Sequence, residues 1–411
     1  MRFAVVGGGI SGCATALALL NRQHEVTIHE SGETLGGVLR DLCTAQGPFF
    51  QGCQYFNPGS ELTDLLQTLD CIELQAFPHR YGSWNDLFGE IVVHHDFAQV
   101  VVPGWRESVA CSARPATSAA DRLAAYEPPV AEALRRWAGR FGPLDSLDAE
   151  NCTPMQLGRV FYRDAVDAVR WAKADSAAAD RRLGLPRSAF VPPLDTQQAA
   201  LPAAGFDSFF QQFEAGLRAR GARILCRSPV KPVMDADGPA FLVRGEPLVV
   251  DWVVWCANPT PLLLNLTGER IDAPVLRCFN LIGTLDGTPP AGPVYYQTFG
   301  RDHPLLRVFA YQLDGVARLT VEGLDEGWPL DRLVAAANGV MHDIGWDARI
   351  RQAVLVPQSR YTLLTLHDKQ CFERFAVHAP RLRVVPGGWQ HYGRDARLRD
   401  ILGVIEHLEA A

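Results

Sequence analysis

The chain opens MRFAVVGGGISGCATALALLNRQHEVTIHESGETLGG, and no other stretch limits its fold as strongly. Phe3-Ala4-Val5-Val6 is a short apolar run, the pattern of a strand buried on both faces of a parallel sheet. Gly7-Gly8-Gly9-Ile10-Ser11-Gly12 follows with GxGxxG spacing, and Cys13–Gln23 continues as a helix. Val26–His29 reads as a second strand, closed by Glu30, 18 residues after Gly12. Each part has a physical task. Gly7 allows the tight turn, Gly9 lets a pyrophosphate approach the backbone, and Gly12 lets helix and strand pack closely. The helix start around Ser11 offers free N–H groups and a partial positive charge to that anion. The Glu30 carboxylate is placed to accept from both ribose hydroxyls.

Both NAD and FAD bind such a unit. Here Glu30 is followed by SGETLGG and then Arg40, so Gly36 and Gly37 stand where a glycine pair follows the ribose acid. This resembles the extended signature of FAD-binding oxidoreductases, and it implies FAD. Three later stretches suit the same domain. Val230-Lys231-Pro232-Val233 is extended and could meet the adenine. Trp252–Trp255 is a buried strand leading into the small residues Cys256-Ala257-Asn258. Leu382–Pro386 is a strand entering Gly387-Gly388, with a helix from about Arg394. The expected class is α/β: a discontinuous FAD-binding Rossmann-like domain from residues 1–45, 200–265 and 370–411. Residues 105–190, rich in alanine, arginine and leucine at helical spacing, are expected as an inserted helical domain. Residues 46–104 and 266–369 are expected as a substrate domain. Its strand-like runs VLRCFNLIGTL, GPVYYQTF, PLLRVFAYQL and VARLTVEGL suggest a mostly antiparallel sheet.

Composition excludes several other classes. At 411 residues with 47% apolar and 21% charged side chains, the chain has the make-up of a globular protein of two or three domains. The net charge of -7, with no lysine/arginine block, argues against nucleic acid as a partner. No apolar run is long enough to span a membrane and the first one already belongs to a folded motif, so a cytoplasmic protein without a leader is expected. The ten cysteines form no CxxC and the eleven histidines no HxxxH, so no metal site is expected. Nothing in the pattern fixes an oligomeric state; a homodimer is compatible with it.

Several separated stretches resemble the bacterial UDP-galactopyranose mutases. GPFFQGCQYFNPGSELTDLL resembles that family's GxHxxHT segment beside the flavin. GRVFYRDAVDAVRWAKADSAAADRRLGLPR resembles its tryptophan helix and mobile arginine loop, placing Trp171 and Arg187. VLRCFNL places Arg277, HPLLRVFAY places Arg307, and GGWQHYGRDARLRDI resembles the C-terminal segment and places Tyr392. The resemblance implies that Trp171 stacks on a nucleobase and that Arg187 and Arg307 clamp a diphosphate, with Arg277 and Tyr392 as further substrate contacts. Arginine suits such an anion because its planar fork bonds it bidentately. The departures are specific. The family's histidines are Gln54 and Asn57 here, its C-terminal arginine is Gly388, and its later tyrosine and aspartate are Arg394 and Ala396. Gln54 and Asn57 can hydrogen-bond a flavin or a sugar but cannot titrate. Arg394 could restore the lost positive charge.

The resemblance further implies a mechanism. Reduced FAD, primed by NAD(P)H, attacks the anomeric carbon of a nucleotide sugar through its N5, and pyranose and furanose forms interconvert. The loss of the histidines leaves open an amine-oxidase or protoporphyrinogen-oxidase-like oxidoreductase on a small molecule. A flavin-binding protein without chemistry is a third reading.

Overall fold

The computed structural model describes residues 1–57, 59–78, 81–87, 89–95, 117–124, 128–149, 198–236, 238–391 and 393–410. Two sheets organise them. The first is parallel and five-stranded, in the spatial order Val384–Pro386, Trp252–Trp255, Arg2–Val6, Glu25–His29 and Arg223–Leu225. The opening strand sits at its centre, and its alternate side chains feed two cores. Phe3 and Val5 point into a core with the helix Ile10–Asn21 and the phenylalanines of Gly205–Ala219. Ala4 and Val6 point into another with Trp255, Phe372 and Phe375. Burial on both faces explains why this strand reads as a continuous apolar run.

The first helix begins at Ile10, three residues before the sequence suggested, because Gly9 is its N-cap and Gly12 lies in its first turn. It ends at Asn21 rather than Gln23. Gln23 has φ +63°, a conformation that cannot continue a right-handed helix.

The second sheet has seven strands. In spatial order they are Asp347–Thr362, Val275–Thr288, Val316–Leu324, Leu305–Leu313, Val294–Phe299, Tyr81–Asn85 and Val92–His94. It is antiparallel apart from the parallel pairing of Tyr81–Asn85 with Val294–Phe299. The four runs read from sequence all form strands in it. The outer face is apolar and is covered by the helix Leu330–Asp343 through Leu333, Ala337, Val340 and Met341. The inner face meets the first core through Tyr295, Phe309 and Tyr311. Of the expected helical insertion, the helices Ala119–Leu123 and Pro128–Ala138 are described, and residues 150–197 lie outside the described residues.

The hairpin Asp41–Thr44/Gly47–Phe50 ties the two sheets together. Asp41 caps the helix Gly205–Ala219: its carboxylate accepts from the N–H groups of Phe206 and Asp207, both at 3.0 Å. Gly205, at φ +88°, leaves room for it, since a Cβ there would fall on the Asp41 carboxylate. Further along the same hairpin, the Phe50 N–H donates to the Tyr311 hydroxyl at 2.8 Å, and the Phe50 and Tyr311 rings stack at 4.4 Å.

His303 lies by the outer face with its ring 4.9 Å from that of Trp84, and its Nδ1 accepts from the Leu305 N–H. Burial, helped by the nearby Arg140 guanidinium, lowers its pKa to about 4. A histidine whose folded pKa lies below its unfolded value is held neutral in the fold, so protons bind the unfolded chain preferentially. Its contribution to stability is therefore complete above about pH 6.5 and is lost as pH falls towards 4. Urea unfolding of wild type and His303→Gln across this window should show the wild type losing on the order of 3 kcal/mol more than the variant. Parallel curves would remove His303 as the titrating group.

Candidate functional site

The glycines of the opening motif divide into those the fold needs and one it leaves open. Gly7 has φ +103°, and a Cβ there would lie 2.9 Å from the Ala257 N. A Cβ on Gly12 would overlap the Gly7 carbonyl oxygen. These two are fixed by the turn and by helix–strand packing. A Cβ on Gly9 would meet only the Gly37 Cα, at 4.0 Å. The space beside Gly9 is thus free for a ligand at the start of a 12-residue helix. That helix start has no side-chain cap and no acidic residue in its first turn. The N–H groups of Ile10, Ser11 and Gly12 precede the first intrahelical bond, made by the Cys13 N–H to Gly9. They face an anion-binding end of the helix dipole.

Glu30 is braced where the sequence suggested. One carboxylate oxygen accepts from the Gly8 N–H at 2.7 Å and the other from the Gly32 N–H at 2.6 Å. The second oxygen also accepts from the Ser31 hydroxyl at 3.2 Å, so the Gly8-bonded oxygen is the one that keeps a lone pair for a ribose hydroxyl. The Gly36 N–H donates to the Gly8 carbonyl at 2.9 Å, and Gly36 and Gly37 both have positive φ. A Cβ on Gly37 would stand 3.2 Å from the Gly9 Cα, so the glycine pair closes over the phosphate turn. Val230 begins the strand Val230–Asp235 just after Ser228, whose N–H donates to the Glu30 carbonyl. Gly387 packs on the Trp255 carbonyl. Gly388 has φ +63°, and a Cβ there would lie 2.8 Å from the Arg397 Cα. An arginine at position 388 would meet the C-terminal helix, which accounts for the glycine. The thiols nearby are inert: burial pushes Cys256 up to about 12 and raises Cys13 as well.

Opposite this cradle, the inner face of the second sheet carries a buried polar row. Ser83 pairs with Gln297, Gln297 with Arg307, Arg307 with Glu322, and Glu322 with Asn280, each on the neighbouring strand. Cross-strand partners share a face, so the five side chains run side by side. Gln358, on the edge strand, joins them with its amide nitrogen 3.4 Å from both the Asn280 Oδ1 and the Glu322 Oε1. Glu322 is the centre of the row, its side chain only 1% exposed. Its Oε2 accepts from the Arg307 Nη1 at 3.2 Å and from the Cys53 N–H at 3.3 Å. The Gly52–Gln54 turn, with Gly52 at φ +81°, is thereby fastened to the sheet. An aromatic cluster borders the row: the Tyr55 ring lies 6.0 Å from Tyr295 and 6.1 Å from Phe309.

The sequence-derived substrate residues fare differently. Arg307 is in the row, its side chain 11% exposed. Gln54 is half-buried on the adjoining turn and Asn57 is exposed. Arg394 donates to the Tyr55 carbonyl and stands 5.3 Å over the Phe56 ring, so it reaches the same turn from the C-terminal helix. Arg277 is exposed on its strand, three residues before Asn280. Trp171, Arg187 and Tyr392 lie outside the described residues. Sequence reasoning missed Glu322, Asn280, Gln358, Gln297 and Ser83. The available signal was a polar residue at an inward position of an otherwise apolar strand, as in CFNLI and LTVEGL.

A model described as an NAD(P)-binding Rossmann-like domain matches residues 5–71. No curated protein matches the chain. Among solved structures, the chain is similar to a reduced UDP-galactopyranose mutase, at TM-score 0.69 and 13% identity over 100% of this chain and 96% of that one. It is similar to cyclohexylamine oxidase from Brevibacterium oxydans IH-35A, at TM-score 0.63 and 14% identity over 99% of both chains. It is also similar to a putative protoporphyrinogen oxidase from Exiguobacterium sp. 255-15, at TM-score 0.61 and 16% identity over 100% and 98%. Identities this low speak to fold and leave the activity open. The chain shares the fold of these flavoenzymes, with a Rossmann-like domain at its start.

The two kinds of glycine give a paired test. Gly12→Ala should cost several kcal/mol in urea unfolding, because the Gly7 carbonyl must move to admit the Cβ. Gly9→Val should unfold near the wild-type midpoint while FAD affinity, followed by quenching of flavin fluorescence, drops about a hundredfold. A Gly9→Val protein that binds FAD normally would show that the dinucleotide does not pass this glycine.

Proposed function

We propose that the chain is an FAD-dependent enzyme acting on a nucleotide sugar, interconverting its pyranose and furanose forms. The observation that carries this reading is the buried polar row. A sugar ring brings several hydroxyls that need partners once they leave water. Ser83, Gln297, Asn280 and Gln358 are neutral donors and acceptors on one face, all buried. Arg307 adds a planar fork suited to a diphosphate. An alkylamine would find little use for such a row.

In this reading, residues 1–45, 200–265 and 370–411 hold the cofactor, and 46–104 with 266–369 hold the substrate. Gly7, Gly9, Ser11 and Gly12 would receive the pyrophosphate and Glu30 the ribose. Gly36, Gly37, Gly387 and Gly388 give the flavin a close backbone path, and Val230 lies on the adenine side. Bound and reduced, FAD supplies a nucleophilic nitrogen, and NAD(P)H is the expected reductant. The protein's own contribution is electrostatic and positional. Arg307 and Arg394 offset the charge of the departing diphosphate, a task the resemblance also gives Arg187. Trp171 is assigned to the base, Tyr392 and Arg277 to the substrate's polar groups, and Gln54 and Asn57 to hydrogen bonds at the flavin or sugar. Glu322 holds the Arg307 guanidinium in place before substrate arrives, so little reorganisation is left for the reaction.

One observation favours oxidation of an amine instead. Tyr55, Tyr295 and Phe309 form an aromatic cluster at the border of the row, a setting suited to a cation. The deciding experiment is anaerobic. Protein reduced with dithionite should interconvert the ring forms of a UDP-, dTDP- or GDP-hexose, followed by chromatography, with no turnover by the oxidised protein. Oxygen consumption with amines, and no nucleotide-sugar turnover, would replace the mutase reading with the oxidase one.

The ion pair makes a separate prediction. Arg307→Ala should weaken binding of the turned-over nucleotide sugar about tenfold or more, with FAD content unchanged. It should also lower stability by about 3 kcal/mol, because a buried carboxylate loses its partner. Adding Glu322→Gln should restore stability and leave binding weak, and restored binding would remove Arg307 from the substrate site.

A further inference from the structure

The amides at one end of the polar row are locked in one orientation. A carboxylate only accepts, so at Glu322 Oε1 the Gln358 group must be its NH2. The same NH2 donates to the Asn280 Oδ1, which fixes Asn280 in turn. Two polar atoms are then left over. The Asn280 Nδ2 is a donor and the Gln358 Oε1 an acceptor, and both are buried without a hydrogen-bond partner among the described residues. Asn280 is 0% exposed and Gln358 8%. Two unmet buried amide groups on adjacent strands would cost several kcal/mol if nothing filled the need.

We propose that Asn280 and Gln358 form a specificity-determining pair that reads one hydroxyl of the substrate's sugar. This rests on the nucleotide-sugar reading above. A hydroxyl both donates and accepts, so a single one can satisfy both atoms. A phosphate oxygen only accepts. It would face the Gln358 carbonyl, with the Glu322 carboxylate behind it, and be repelled. The pair therefore takes the neutral end of the substrate and turns the diphosphate towards Arg307. Glu322 acts as the positioning residue for both ends: it orients Arg307 through one oxygen and Gln358 through the other.

The test is calorimetric titration of the FAD-loaded protein with UDP-galactose, its 2-, 3-, 4- and 6-deoxy analogues, and UDP alone. One deoxy analogue should bind the wild type about tenfold or more weaker than UDP-galactose, the scale set by leaving the pair unmet. Asn280→Leu and Gln358→Met should weaken UDP-galactose by a similar factor, leave UDP within about twofold, and lose discrimination against that analogue. Because the analogue series is run on wild type, it stands even if a variant fails to fold. Equal affinity for all the sugars would overturn the pair's role while keeping the nucleotide-sugar reading. A parallel loss of UDP affinity in the variants would also overturn it. A wild type that binds no UDP-, dTDP- or GDP-hexose would overturn the nucleotide-sugar reading and the pair with it.

Discussion

A carboxylate withdrawn from water must be surrounded by donors, and Glu322 sets that requirement at the meeting of the two sheets. Its oxygens collect a guanidinium from one strand, a side-chain amide from another, and the Cys53 backbone N–H from the turn entering the cofactor side. No member of this set can be removed without leaving a buried charge short of a partner, a loss of several kcal/mol. The interaction is therefore structural and functional at once. It fixes the turn next to the cradle, holds Arg307 in place, and orients the amides beyond it.

The local geometry of the opening strand–helix–strand unit was legible because its constraints are local. GxGxxG, the acid ending the second strand, and the glycine pair after it are each short-range demands of a turn or a close approach. The structure repeats them at Gly7, Gly12, Glu30 and Gly36. The strands of the second sheet were legible for the same kind of reason, as runs of alternating or continuous apolar residues. The polar row was not. Its members are spread from Ser83 to Gln358, one to a strand, and come together through register alone. In sequence, Glu322 is a single acid among apolar neighbours. The side of the sheet it faces depends on strand pairing that no local pattern gives. The first helix's start was misplaced by three residues and its end by two, because the N-cap is a glycine and the stop is set by the positive φ of Gln23.

The divergence from the mutase pattern is also partly physical. Gly388 is not a free replacement for an arginine: the C-terminal helix lies against it through Arg397, and the backbone there has a positive φ. Arg394, one turn into that region, reaches Tyr55 and Phe56 instead. The cation at that turn comes from the first residue of the C-terminal helix. Sharing a fold with mutases and amine oxidases alike leaves such substitutions as the place where activity is decided.

The strand order of the parallel sheet has a consequence for how the protein is made. Arg2–Val6 pairs directly with Trp252–Trp255, which pairs with Val384–Pro386. The glycine turn after Arg2–Val6 packs against Ala257, and Gly387 packs on the Trp255 carbonyl. Until Trp252–Trp255 has been made, Arg2–Val6 has Glu25–His29 on one side and an open apolar edge on the other. Long-range pairing of this kind is slow and leaves sticky edges exposed. The chain must therefore keep this edge from aggregating until Trp252–Trp255 arrives, and only then does the glycine turn gain its packing partner at Ala257.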